Sequence, residues 1–416
     1  MIPTLDTSHS LAEWLDQILA LHPTEIDLGL ARLRTVAQRL QLTALPHSRV
    51  ITVAGTNGKG TTCALMARIL REAGYSVGVF SSPHIERYTE RVQINGDELD
   101  EQAHVDAFSA IAAAQGETSL TFFEYSALGA LWLFARHQPD VVLLEVGLGG
   151  RLDATNLIDA DVAVVTTVDL DHQDYLGDSR EGIGREKAGV FRPGHAAICG
   201  DPQPPASVAC YADAIGASLS QRGREFELRR HADSWDYHSD DLCLTALPLP
   251  AIPLDNAATA LTALRALLGI LPEPAVRVAL AQIQVEGRLE HLAQQPALVL
   301  DVAHNPQAGG YLADWLAQQS YGQVHAVCAM LADKDIASTL ALFRSLPLQW
   351  YVADLSVPRG ASAEQLAQHV AAPRQFASVA QALDAALAQA APDDLVILFG
   401  SFYTVAQAKQ YWRERS

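Results

Sequence analysis

The chain has 416 residues, 49% of them apolar, and 29 basic against 48 acidic side chains give a formal charge of −19. That charge excludes broad binding to nucleic acid or an anionic membrane, which needs a basic field, and no apolar run reaches the length of a membrane span. Five cysteines at positions 63, 199, 210, 243 and 328 show no CxxC spacing, which argues against a disulfide framework or a zinc site. The N-terminal residues lack the basic region and apolar core of a signal peptide, so a cytoplasmic protein of two or three domains is expected. The basic residues are 25 arginines and only four lysines, Lys59, Lys187, Lys334 and Lys409. A lysine kept on so arginine-rich a surface is a candidate for chemistry.

In chain order, Arg49–Ala54 is a β-branched run that predicts a strand. A glycine-rich turn follows, then a helix with Leu65, Met66, Ile69 and Leu70 on one face. Further strands are predicted at 75–81, 141–146 and 161–168, the second a continuous apolar run of the kind found in central parallel strands. Residues 200–250 read as irregular, punctuated by prolines, before a helix over 256–268. A second strand–helix rhythm places strands at 297–302, 324–330, 349–355 and 395–399 and a last helix over 403–413. The polar segment before Pro296 predicts a linker at 288–296, between a first domain over 1–287 and a second over 297–416. Residues 1–296 carry 22 − 38 = −16 and residues 297–416 carry 7 − 10 = −3. The expected class is α/β: a P-loop-containing, doubly wound, mostly parallel sheet followed by a smaller Rossmann-like α/β domain.

Gly55-Thr56-Asn57-Gly58-Lys59-Gly60-Thr61-Thr62 lies between the first strand and its helix. Glycines let backbone N–H groups turn inward around phosphate oxygens, the helix N-terminus adds positive partial charge, and Lys59 reaches the terminal phosphates. The loop departs from GxxxxGK[ST] in its glycine spacing and in Gly60, which replaces the hydroxyl residue that ligates Mg²⁺ in a standard P-loop. The metal ligands therefore have to come from elsewhere. Ser82, Glu145 and the Asp171-His172 pair all follow or end predicted parallel strands, on the edge where ligands bind in open α/β sheets. Carboxylate, hydroxyl and imidazole suit a divalent ion that also holds ATP phosphates. The bland alternative pairs Glu145 with Arg151 in a buried salt bridge and has His172 cap a turn.

Taken together, the motifs GTNGKGTT, SSPH (81–84), YTERV (88–92), FFEY (122–125), EVGLGGRLDATN (145–156), DLDH (169–172), REKAG (185–189) and DVAHNP (301–306) resemble the bifunctional dihydrofolate synthase/folylpolyglutamate synthase family of the Mur ligase superfamily. The resemblance runs through both domains in order. It implies that Gly58, Lys59, Gly60 and Thr61 hold ATP phosphates, with Asn256, Arg288 and Asp301 as further nucleotide contacts. It implies Ser82 and Glu145 on one Mg²⁺, and Glu145 and His172 on a second. Lys187 matches a lysine carbamylated by CO₂, and His304 lies near the position of the incoming glutamate. Asp27, Leu28, Gly29 and Leu30, Thr121, Phe122, Phe123 and Glu124, and Leu152, Asp153 and Ala154 match the dihydropteroate site, which favours the bifunctional enzyme. The family also implies a monomer. One departure is Glu286, where the family commonly has proline before the Gly-Arg pair. Proline would stiffen that hinge, so Glu286 is expected to loosen it.

The implied reaction is amide formation: the γ-phosphoryl group of ATP passes to a carboxylate of dihydropteroate or a reduced folate, and the amine of L-glutamate displaces phosphate. Lys59, the loop N–H groups and Mg²⁺ would offset the developing charge, with Lys187 and His304 as the other catalytic candidates. A second domain closing over the first would exclude water from the acyl phosphate. Two alternatives remain at this point: a Mur-type peptidoglycan amino-acid ligase, and a P-loop ATP switch without a ligase product.

Overall fold

The computed structural model describes residues 9–22, 24 and 26–415; the first eight residues, part of the segment read above for a signal peptide, lie outside them. The chain divides into two compact units, Met1–Ile283 and Gln284–Ser416.

The first unit is built on eight strands: β1 Arg49–Ala54, β2 Val77–Phe80, β3 Val92–Ile94, β4 Asp97–Glu98, β5 Val141–Glu145, β6 Val162–Val165, β7 Ala196–Cys199 and β8 Ser218–Gln221. Their order is β4-β3-β2-β5-β1-β6-β7-β8. The run from β2 to β8 is parallel, and β3 and β4 add an antiparallel edge. From β1 the chain goes to one side through β2 and β5, then crosses to β6 on the other. Connections diverge at the carboxyl end of β1, which makes that end a crevice. All of β5 and β6 is buried, which explains their unbroken apolar sequence.

Helix Lys59–Glu72 starts after Gly58 in a left-handed conformation (φ +85°). The four apolar residues expected on its inner face are fully buried. The core continues through Trp14, Phe108, Tyr125, Leu128 and Phe134, contributed by helices Leu11–Leu21, Glu101–Gln115 and Phe122–His137.

Residues 200–250 are more regular than their sequence suggested. They hold helix Ala206–Ile215, β8 and an antiparallel sheet of β9 Phe226–Arg230, β10 Trp235–Ser239 and β11 Leu242–Leu247. Trp235 and Tyr237 alternate inward and are fully buried. The Tyr237 hydroxyl lies 2.9 Å from Thr262 Oγ1 on helix Leu254–Leu268. The prolines only bracket this sheet.

The second unit holds β12 Glu290–Gln294, β13 Ala297–Asp301, β14 Val324–Cys328, β15 Leu348–Ala353, β16 Arg374–Phe376 and β17 Leu395–Phe399, in the order β12-β13-β17-β14-β15-β16. Only β12 runs antiparallel. Its core includes Val299, Ile397 and Phe343 stacked on Phe399 with 5.0 Å between centroids. The expected linker at 288–296 is therefore corrected: its middle is a strand in register with β13. Polar composition misled there because an edge strand leaves much of its surface in water. Among the described residues no helix is long and apolar enough to cross a membrane.

Candidate active site

The carboxyl ends of β1, β5 and β6 bring the phosphate loop together with two of the strand-end residues. Gly55 has φ +152°, and a Cβ there would lie 1.8 Å from Thr166 Oγ1, so no side chain fits. Thr166 Oγ1 donates to Asn57 O at 2.6 Å, and the Asn57 amide donates to Thr167 Oγ1 at 3.0 Å. The loop is thus anchored on the segment after β6 and presents the start of its helix outward. Asn256, implied as a nucleotide contact, belongs to this lattice: its Nδ2 donates to Thr61 Oγ1 at 2.8 Å. A Cβ on Gly58 would lie 2.5 Å from its Oδ1. Lys59 folds over the loop, donating to Gly55 O at 3.0 Å and Thr56 O at 3.3 Å.

Glu145 ends β5 and is only 6% exposed. A Cβ on Gly60 would stand 3.6 Å from both its carboxylate oxygens. The residue that replaces the usual hydroxyl therefore lies in contact distance of the carboxylate. The Ser82 amide, following β2, donates to Glu145 Oε2 at 3.2 Å. Arg151 does not serve as the Glu145 partner in a buried bridge; it pairs with Glu186 at 2.9 Å. Ser82 and Glu145 offer oxygen donors beside the loop, a set that fits a hard cation such as Mg²⁺. His172 sits after β6 with φ +50° at the start of the short helix Gln173–Leu176 and is 44% exposed. Its Nε2 lies 3.9 Å from Asp171 Oδ2. Among the described residues no group of three or more His, Cys, Asp or Glu side chains is gathered for a metal.

Lys187, on helix Arg180–Ala188, is 4% exposed. Burial, reinforced by the charge of Lys59, pushes its ammonium down to about 7, against the opposing pull of Asp171 and Asp153. A lysine held near neutrality is a competent nucleophile. Two motifs far apart in sequence bring it here. The Arg151 amide donates to Glu186 O at 2.9 Å, and Asn156 Nδ2 reaches Arg151 O at 3.0 Å and Gly189 O at 3.2 Å. A Cβ on Gly150 would clash with Lys187 O at 2.8 Å. The GLGGRLDATN and REKAG segments are one packed unit.

The residues matched to the dihydropteroate site fall into two groups. Thr121 and Glu124 form a capping box at the start of helix Phe122–His137. Glu124 also accepts Arg32 Nη2 at 3.1 Å, and Arg32 Nη1 pairs with Asp27. Arg32, which nothing in the sequence singled out, thus joins Asp27 to Glu124, itself 92 positions from the arginine. Leu28, Gly29 and Leu30 connect Asp27 to helix Ala31–Leu40 and are half-buried. Phe122 lies under Arg91 at 5.2 Å. In the second group, Asp153 accepts the amides of Gly147 (3.1 Å), Leu148 (2.9 Å) and Thr155 (2.9 Å). Burial still holds its carboxyl above the usual range. Leu152 and Ala154 flank it, and a Cβ on Gly147 would meet the Phe123 ring at 2.6 Å.

In the second unit, Asp301 ends β13 and accepts Leu289 N at 3.0 Å and Ala303 N at 2.8 Å. The Arg288 guanidinium lies 5.1 Å over the Phe402 ring. His304 Nδ1 is 2.8 Å from Val302 O, so Nδ1 is the donor in that contact.

A P-loop sheet whose carboxyl edge gathers lysine, carboxylate and hydroxyl, with a second parallel-sheet unit, defines the class. Residues 53–203 match the Mur ligase middle domain and residues 287–402 the Mur ligase glutamate ligase domain. The dihydrofolate synthase/folylpolyglutamate synthase of Escherichia coli K12 is 51% identical over 98% of this chain and 96% of its own length. That of Haemophilus influenzae is 40% identical over 97% and 98%. Among solved structures, Escherichia coli FolC in complex with DHPP and ADP superposes with a TM-score of 0.96 at 50% identity, covering 99% of this chain and 100% of that one. The Yersinia pestis bifunctional enzyme complexed with AMPPNP and Mn ion gives 0.94 at 48%, covering 99% and 100%. The chain belongs to the dihydrofolate synthase/folylpolyglutamate synthase family. The folate reading fits these relatives; the peptidoglycan-ligase and ATP-switch alternatives do not.

Proposed function

We propose that the carboxyl edge of the first unit is where this ligase uses ATP to activate the carboxylate of dihydropteroate, and of reduced folates thereafter, for attack by L-glutamate. The observation that carries this reading is Gly60 opening the phosphate loop directly onto the buried Glu145 carboxylate. The first-turn N–H groups of helix Lys59–Glu72 lie outside its own hydrogen-bond ladder and point at phosphate. Lys59 exchanges its bonds to the Gly55 and Thr56 carbonyls for phosphate oxygens and offsets charge as the phosphoryl group moves. Thr61 and Asn256 hold the loop's shape. Ser82 and Glu145 are the residues that would hold Mg²⁺, with His172 at a second ion. Such an ion supplies charge neutralisation on the phosphates. The bound ADP, AMPPNP and Mn of the relatives support nucleotide and divalent metal use.

The buried amine of Lys187 is read as a carbamate: the ammonium gives up one proton to solvent, the freed lone pair bonds the carbon of CO₂, and the nitrogen gives up a second proton, so a cation becomes an anion beside the metal ligands. Asp27, Thr121 and Glu124, tied by Arg32, and the Leu152–Ala154 turn beside Phe123 are read as the pterin-binding walls. His304 is read as the base for the glutamate amine, and Arg288 and Asp301 serve the nucleotide. The five cysteines, all free, support a reducing cytoplasm; a monomer is the assembly read from the family.

The test is ADP release with dihydropteroate, then tetrahydrofolate, as acceptor. Release that requires both acceptor and glutamate, with a glutamate adduct by mass spectrometry, is expected. Equal release without either would overturn the reading.

A further inference from the structure

Lys409 is the last of the four lysines, and no step of the reaction uses it. It lies on the last helix, Phe402–Arg415, with its side chain 12% exposed. There its ammonium pairs with Glu286 and, at 2.9 Å, with Glu290 Oε1. Burial opposes its charge, but the two carboxylates outweigh that and hold it above its ordinary value.

These partners flank Arg288. The Arg288 amide donates to Val285 O at 3.0 Å, closing a four-residue turn with Glu286 and Gly287 in the middle. Gly287 has φ +64°. Such a turn takes proline at its first central position and glycine at its second, and Glu286 occupies the proline position. The Gly287 amide donates to Glu290 Oε2 at 2.7 Å. The same helix meets the turn twice: Phe402 carries the Arg288 guanidinium, and Lys409, two helical turns on, grips Glu286 and Glu290. The expected loosening at Glu286 is therefore not what the structure has; an ion-pair clamp stands there.

We propose that Lys409 is a positioning residue for Arg288, holding the Val285–Arg288 turn through Glu286 and Glu290 in place of a prolyl ring. The inference rests on the reading of Arg288 as a nucleotide contact. Without the clamp, Arg288 samples more orientations, and ATP binding weakens while the chemical step of bound substrate changes little.

The experiment measures KM for ATP and kcat in Lys409→Gln, Lys409→Arg, Lys409→Gln/Glu286→Pro and Arg288→Ala, with thermal unfolding as a fold check. Lys409→Gln is expected to raise KM about fivefold to tenfold with kcat within about twofold, the signature of lost binding rather than lost chemistry. Lys409→Arg and the proline double variant are expected to bring KM back towards the parent value. A double variant as poor as Lys409→Gln would overturn the inference. So would an unchanged KM in Lys409→Gln while Arg288→Ala raises it. If Arg288→Ala itself leaves KM unchanged, the nucleotide role of Arg288 falls and this inference falls with it.

Discussion

A parallel strand in each unit ends in a buried acid, and the two acids are held differently. In the first, β5 ends in Glu145, a buried carboxylate beside Gly60 of the phosphate loop. In the second, β13 ends in Asp301, equally buried, whose oxygens accept the amides of Leu289 and Ala303. Both are acids at the carboxyl edge of a parallel strand. Glu145 is proposed to hold a metal ion; Asp301, proposed to serve the nucleotide, also fixes the turn after its strand through those two amides. Burial raises the cost of a charge, and the backbone donors aimed at each acid offset part of it.

Substitutions at the two acids sharpen this contrast most. Glu145→Ala is expected to lower turnover by about a thousandfold or more, the scale of losing electrostatic stabilisation in phosphoryl transfer. Its unfolding midpoint should stay close to the parent. A large fall in stability with turnover retained would make Glu145 structural. Lys59→Ala should cost turnover about a hundredfold to a thousandfold through lost charge on the phosphates, read in steady-state ADP release.

Lys187→Ala is expected to lower turnover as well, with partial recovery on adding acetate. Activity that is low and indifferent to acetate would remove the carbamate reading. For the chain whose Lys187 carries no CO₂, the pH dependence follows from burial pushing the amine down to about 7. Below it, Lys187 is protonated in both folded and unfolded chains, and burying the cation weighs fully on stability. Between about 7 and the ordinary lysine range the unfolded chain binds the extra proton, so stability rises with pH. The stability gained by Lys187→Met should therefore shrink as pH climbs above 7, measured by urea unfolding.

Asp301→Ala leaves two buried amides without their acceptor and should cost about 1–3 kcal/mol for each, chiefly in unfolding of the second unit. The smallest effect is expected at Arg151, whose pair with Glu186 has the arginine 48% exposed. Arg151→Ala should change stability by about 1 kcal/mol or less, as surface ion pairs do.

Much of this was legible in the sequence for identifiable reasons. The apolar runs at β1, β5, β13 and β17 are strands covered on both faces, and a short unbroken apolar run between turn residues is the pattern such burial demands. The phosphate loop was legible because glycine spacing between a strand and a helix is a local property. The three strands from residue 226 onwards were hidden because short, half-exposed antiparallel strands carry little hydrophobic signal. β12 was misread as a linker for the same reason. Arg32 could not be found, since its use depends on Asp27 and Glu124 meeting in space. Lysine scarcity pointed at Lys409 without saying what it held.

The sequence by itself determined the α/β class, the phosphate loop and the family, because each is written in contiguous residues. Tertiary structure alone decided that Gly60 opens onto Glu145, that burial and Lys59 bring the Lys187 amine near neutrality, and that Lys409 clamps the turn before Arg288. Those properties depend on the distance and solvent exposure of groups far apart in the chain, and only folding sets either.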